Sequence, residues 1–184
     1  MDAYALVTRI RAHYLVQYLD FLEAQEAEGG QGAAEAKFRL GDSTILFNQM
    51  YCVDYVRNEG PGGMRMIEFA PAASLAIPRL EGVMGDTQVS IESFSWDDVE
   101  IEHDLAAPPF EALQDWFEHW FDPEERRFDA DTQLAHAIHS LMVEPGRFTL
   151  DLGTAPEEAF WSLLSLLSLA GARQARVARS PMEG

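Results

Sequence analysis

Apolar residues recur at spacings of three and four over residues 3–25, through Val7, Ile10, Tyr14, Tyr18 and Phe21. Leu6, Leu15, Leu19 and Leu22 flank them, which predicts a long amphipathic helix with a broad apolar arc, packed on two sides. Gly29-Gly30 ends it. The Gly/Ala/Glu-rich stretch 26–36 has no apolar period and reads as a flexible loop. Residues 44–56 are rich in Ile, Phe, Tyr and Val, and 64–69 form a second such run. Asn58-Glu59-Gly60-Pro61-Gly62-Gly63 lies between them, so the two runs predict a β-hairpin. That glycine-rich turn has no following helix or Lys-Ser/Thr, so it is a turn and not a phosphate loop.

Residues 83–105 predict further strands. From Asp97 the alternation is strict, with Val99, Ile101, His103 and Leu105 on one face and Asp98, Glu100, Glu102 and Asp104 on the other. Pro108-Pro109 opens a helix reaching Phe121, with Phe110, Leu113, Phe117 and Trp120 along its apolar side. Residues 131–142 read as a shorter helix ended by Glu144-Pro145-Gly146. Phe148, Leu150 and Leu152 alternate as a strand. Thr154-Ala155-Pro156-Glu157 then fits a capping box, and an almost wholly apolar helix runs to Ala170 and Gly171. Its serines 162, 165 and 168 repeat every three residues. Residues 174–178 form a last strand, and the helix between the two strands permits a right-handed parallel crossover.

The pattern predicts one α+β domain over 1–184, a mostly antiparallel sheet of four to six strands with a long N-terminal helix and a C-terminal strand–helix–strand unit. Residues 180–184 read as a disordered tail. Phe148, Leu150, Leu152, Phe160, Leu163, Leu164 and Leu167 are expected to form a buried cluster. The chain has 184 residues, 47% of them apolar, and at that length folding buries about 70% of the unfolded chain's surface. No staple is needed, and the single cysteine, Cys52, permits no internal disulfide; its apolar setting predicts a buried, inert thiol. No signal peptide is visible. The longest uncharged apolar stretch, 159–172, has 14 residues, short of the about 20 a membrane span requires. The reading is a soluble, cytoplasmic protein.

Charge changes the picture more than any motif. Residues 81–131 hold sixteen acidic side chains against Arg126 and Arg127, a net of −14 out of −18 for the whole chain. Such a field repels nucleic acid and anionic membranes and attracts basic partners or cations. Two stripes are ordered within it. Asp98, Glu100, Glu102 and Asp104 repeat about 6.7 Å apart along a strand face. Glu111, Asp115, Glu118 and Asp122 share one helix face, where like charges at i, i+4 cost about 0.2–0.5 kcal/mol each. Neither stripe has a basic residue at pairing distance in the local sequence, and both are expected to be solvent-exposed. Trp116, Phe117, Trp120 and Phe121 beside the second stripe read as core, with a partner anchor as the alternative.

Candidate chemistry is sparse. There is no G-x-S-x-G elbow, P-loop, G-x-G-x-x-G or H-E-x-x-H. Asp129-Ala130-Asp131 is only a fragment of a calcium loop. On the predicted helix 131–142, His136 and His139 fall three apart and could both reach a metal, with carboxylates from elsewhere completing the set. No cofactor and no metal site is assigned. The leading expectation is a non-enzymatic protein that binds a basic protein partner through Asp98, Glu100, Glu102, Asp104, Glu111, Asp115, Glu118 and Asp122, as an inhibitor, antitoxin-like factor or chaperone would. Direct nucleic-acid or membrane contact is not expected. The alternatives are a metal-dependent hydrolase using His136, His139 and nearby carboxylates, and an oligomeric structural protein built on the serine-striped helix, homo-oligomers being possible in any case.

Overall fold

The computed structural model describes residues 2–72, 75–92 and 94–179. The tail at 180–184 lies outside them. The elements run α1 (Ala3–Ala27), β1 (Gln31–Arg39), β2 (Met50–Asn58), β3 (Met64–Ile67), β4 (Leu80–Met84), β5 (Thr87–Ile91), β6 (Val99–His103), α2 (Phe110–Phe121), β7 (Ser140–Glu144), β8 (Arg147–Asp151), α3 (Glu157–Leu169) and β9 (Gln174–Ala178). The class is α+β, as the periodicity predicts. The strands form two sheets, β1-β2-β3 and β4-β5-β9-β6-β8-β7. All pairings are antiparallel except β5 with β9. β8 and β9 each pair antiparallel with β6, so they run parallel to each other and α3 is a crossover between them.

The second, three-stranded sheet corrects the reading of 26–36 as a loop. β1 pairs with β2 from Gln31↔Asn58 to Arg39↔Met50. Its small residues have a packing reason. A Cβ at Gly32 would lie 2.2 Å from the Tyr55 hydroxyl oxygen, so the ring of Tyr55 occupies the space a side chain would need. A run that looks low in complexity is the floor under an aromatic side chain.

Residues 131–142 are the second correction. No helix forms there. Asp129 accepts from the Asp131 amide and the Thr132 hydroxyl, and Gln133 and His136 take positive φ of 59° and 50°. The backbone bonds that a helix would use locally go to distant partners: Ile138 N–H donates to Trp120 O, and Ala137 O accepts from the Thr154 and Ala155 amides. The apolar residues at Leu134 and Ile138 are buried, so the helical period was real as a burial pattern and wrong as a conformation.

α1 buries Leu6, Val7, Ile10, Tyr14, Tyr18 and Leu22, while Val16 and Leu19 face solvent, so one stripe is packed and not two sides. The cluster expected around α3 is present: Phe148, Leu150, Leu152, Phe160, Leu163, Leu164 and Leu167 are all 2% exposed or less. They belong to one set of buried side chains that also includes α1, α2 and Cys52 and Tyr55 of β2. The α3 serines serve this packing. Ser162 Oγ accepts from Trp116 Nε1 and Trp120 Nε1 at 2.9 and 3.0 Å, and Ser168 donates to Met84 O at 2.7 Å. Trp116, Phe117 and Phe121 are buried. The expected capping box is not made: α3 starts after Pro156 with no side-chain cap, and Thr154 points elsewhere. No helix among the described residues is long and apolar enough to cross a membrane.

Candidate functional site

The strand stripe is not free. Glu100 and Glu102 lie on β6, a central strand flanked by β9 and β8, with Asp98 and Asp104 at its two ends, and β9 with the residue after it brings arginines to them. Arg176 lies 2.9 Å from Glu102 and 2.7 Å from Glu92, and Arg179 lies 3.0 Å from Asp98. Asp104 accepts from the Arg173 and Gln174 amides, which holds its carboxyl below the usual range. Glu100 is 5% exposed and faces Arg147 at 3.5 Å, which corrects the expectation that it is solvated. Unpaired burial of a carboxylate is prohibitive, and Arg147 is what makes its position tenable.

The helical stripe divides. Glu111, Asp115 and Glu118 are exposed on α2, and among the described residues none stands within ion-pair distance of a basic side chain. Asp122 is buried, the second correction to the stripe. It ends α2 in the left-handed region at φ 51°, and its Oδ2 accepts from the Arg127 amide at 2.7 Å. Its carboxyl is held down although burial pushes it up, because the Arg127 and Arg126 amides and the charges of Arg127 and Lys37 outweigh desolvation. Phe110, at the start of the same helix, is 50% exposed.

The most organised polar group lies elsewhere, between the two sheets. His139 precedes β7 and is 1% exposed. Its backbone already joins the sheets, since its carbonyl accepts from Cys52 N–H of β2 at 2.8 Å and its amide donates to Asp151 O of β8 at 2.9 Å. His139 Nε2 lies 2.9 Å from Glu35 Oε1. Glu35 also accepts from the Thr154 hydroxyl and the Ala135 amide, both at 2.6 Å. A carboxylate receiving two other donors is the acceptor here, so Nε2 carries hydrogen and donates. Glu35 reaches the ring because its own φ is +50°, a left-handed glutamate inside a strand. Such strain persists only where the surroundings hold it.

The opposite ring nitrogen, Nδ1, lies 3.2 Å from Asp54 Oδ1 and 3.5 Å from Asp151 Oδ2. Nδ1 is a buried polar atom without a well-formed hydrogen bond to either oxygen. The second oxygen of each aspartate is pinned by a backbone amide, Asp54 Oδ2 by Phe69 N–H and Asp151 Oδ1 by Gly153 N–H, both at 2.8 Å. Their other oxygens are the ones that face Nδ1. The ligand-capable atoms of Asp54, His139 and Asp151 all lie within 4.8 Å of one another. Gly153 lies against the ring: a Cβ there would stand 2.2 Å from His139 Cδ2. Tyr18 covers another side, its ring centroid 6.3 Å from the imidazole, and its hydroxyl donates to Asp54 O at 2.9 Å.

Three carboxylates therefore surround one imidazole, and none of them has an arginine or lysine partner among the described residues. Burial alone would lower the His139 pKa; the facing groups Cys52, Asp151 and Asp54 overcome this and raise it well above the ordinary imidazole range. The aspartates are the effective charges, because burial raises the Cys52 thiol and keeps it neutral. Glu68, at the edge of the cluster, is raised by partial burial and by Asp54.

This arrangement corrects the pairing of His136 with His139. His136 is not on a helix and lies 3.8 Å from Asp129, while His139 turns inward alone. The sequence reading missed Glu35, Asp54, Asp151 and Thr154. One signal was present: Asp54 interrupts the apolar run Tyr51-Cys52-Val53-Asp54-Tyr55-Val56, and an acid inside a buried strand needs a partner. Comparison with models of known families finds no match, and no curated protein or solved structure matches the chain.

Proposed function

We propose that the protein binds a basic protein partner through the outer face of α2, acting as an inhibitor, antitoxin-like factor or chaperone and not as an enzyme. The observation that carries this reading is the row of Glu111, Asp115 and Glu118, exposed and, among the described residues, outside ion-pair distance of any basic side chain. Like charges at helical spacing destabilise the helix that bears them, and a basic partner removes that cost. Phe110 adds an exposed apolar contact at one end of the row. A surface depression lined by Asp115, Glu118, Trp120 and Glu124, with Arg126 and Arg127 on its rim, lies at the other. The β6 acids, Asp98, Glu102 and Asp104, are engaged within the fold, and Glu100 and Asp122 are buried. The partner surface proposed is thus narrower than the eight residues of the two stripes.

The test is capture from native lysate followed by binding of the isolated partner at graded salt. Exposed charges are screened over about 8 Å at physiological ionic strength, so affinity should fall steeply with salt. The triple variant Glu111→Gln, Asp115→Asn, Glu118→Gln should bind at least about tenfold more weakly at low salt, each tenfold corresponding to about 1.4 kcal/mol. The double variant Asp98→Asn, Glu102→Gln should change binding less. Equal binding by the triple variant and wild type at low salt overturns the reading.

A further inference from the structure

We propose that Asp54 Oδ1, His139 Nδ1 and Asp151 Oδ2 bind one divalent transition-metal ion of the zinc class, which clamps the three-stranded sheet onto the six-stranded one. The site is independent of the α2 face.

The argument begins with Nδ1. Glu35 takes the hydrogen on Nε2, so Nδ1 is the ring atom that faces two carboxylate oxygens in a buried place. A bare lone pair there is repelled by both, so a cation has to stand on its axis. Nδ1 is a buried polar atom without a well-formed hydrogen bond. The two oxygens stand 3.2 and 3.5 Å from the nitrogen. Ligand atoms around a tetrahedral ion with bonds of about 2.0–2.1 Å stand about 3.3–3.4 Å apart, which falls between the two distances.

The surrounding shell is the kind such a centre requires. A metal-bound histidine donates its other N–H to a carboxylate, and bound carboxylates are themselves hydrogen-bonded. Here Glu35 receives the Nε2 hydrogen and is fixed in turn by Thr154 and Ala135. Phe69 and Gly153 amides orient the two aspartates. The donor set also selects the ion. Calcium takes six to eight oxygen ligands and magnesium keeps an oxygen shell, whereas imidazole suits zinc and its neighbours. His139 and Asp54 are closed from solvent, and Asp151, with a quarter of its side chain exposed, marks the side from which an ion and a water for the fourth position can enter. Asp54 comes from β2, and His139 and Asp151 from the β7–β8 side, so one ion ties the two sheets together.

The test uses the full chain, stripped with a chelator and titrated with Zn²⁺ by calorimetry and by thermal unfolding. One equivalent should bind, and Tm should rise by about 5–10 °C at a hundredfold excess over Kd. Asp151→Asn keeps the oxygen that accepts from Gly153 and should lower affinity at least tenfold. His136→Ala, away from the centre, should bind as wild type does. Amide exchange at Phe69 and Gly153 should slow on adding Zn²⁺, a readout in the wild-type protein that holds even if Asp151→Asn fails to fold. Absence of stoichiometric binding, unchanged exchange at those two amides, or loss of binding in His136→Ala with Asp151→Asn unaffected overturns the proposal and leaves a proton as the only cation on His139.

Discussion

Glu35 Oε1 lies 2.9 Å from His139 Nε2 across 104 residues of chain, and this contact joins β1 of one sheet to the start of β7 of the other. Both side chains are buried, at 2% and 1% exposure. The carboxylate also satisfies the Thr154 hydroxyl and the Ala135 amide, so three groups depend on it.

Glu35→Ala should therefore destabilise the protein by about 3–5 kcal/mol, the range for removing one partner of a buried pair. Urea unfolding measures it. A loss below about 1 kcal/mol would mean that water replaces the carboxylate and that the contact does not hold the sheets.

Gly153→Ala should cost about 2–5 kcal/mol, combining the left-handed backbone at φ 51° with a methyl group driven into the His139 ring. Gly171→Ala is the comparison. Gly171 is also at positive φ, 94°, but has open space around its Cβ position, so only the backbone part of the cost should appear there.

His103 predicts a pH dependence. Burial lowers its pKa, with Asp104 opposing, and its Nδ1 accepts from the Leu105 amide, which requires the neutral ring. A depressed folded pKa means the unfolded chain takes up the proton first. The contribution to stability is present above the unfolded value of about 6.5 and is lost as pH falls from there through the folded value. His139 has the opposite sign, its raised pKa favouring the folded state below about 6.5. Comparing denaturation of wild type and His103→Gln between about pH 7.5 and 5 isolates the His103 part. The variant should lose less stability than wild type on acidification, and parallel curves would refute the assignment.

The acids of the two stripes should separate by stability. Glu111→Gln, Asp115→Asn and Glu118→Gln together should leave unfolding unchanged or improve it by a few tenths to about 1 kcal/mol, since like charges at i, i+4 are relieved. Arg147→Ala should lower stability measurably, as it leaves Glu100 buried without its cation. Equal effects of the two changes, measured by thermal unfolding, would show Glu100 to be as well solvated as the helix acids.

The parts legible in the sequence are those where burial and conformation share one period. Val99, Ile101 and His103 alternate on β6, and Leu163, Leu164 and Leu167 recur on α3. Residues 131–142 were misread because Leu134 and Ile138 are buried at a helical spacing while the backbone between them bonds to Trp120, Thr154 and Ala155. β1 was misread because its alanines and glycine carry no apolar signal; their use depends on Tyr55, which lies on the neighbouring strand.

By itself the sequence determined the α+β class, the long first helix, the hairpin and the core around α3, because each follows from contacts within a few turns or one strand repeat. It also located the concentration of charge at 81–131. Only the tertiary structure decided what that charge is worth. Arg176 and Arg179 lie more than seventy residues from the β6 acids they meet, and no local count can place them there. The same holds for the buried centre: Glu35, Asp54, His139 and Asp151 come from four separate segments, and each looks ordinary until sheet register and a left-handed glutamate aim them at one point. Electrostatic energy depends on distance in space and on burial, and neither is a property of position along the chain.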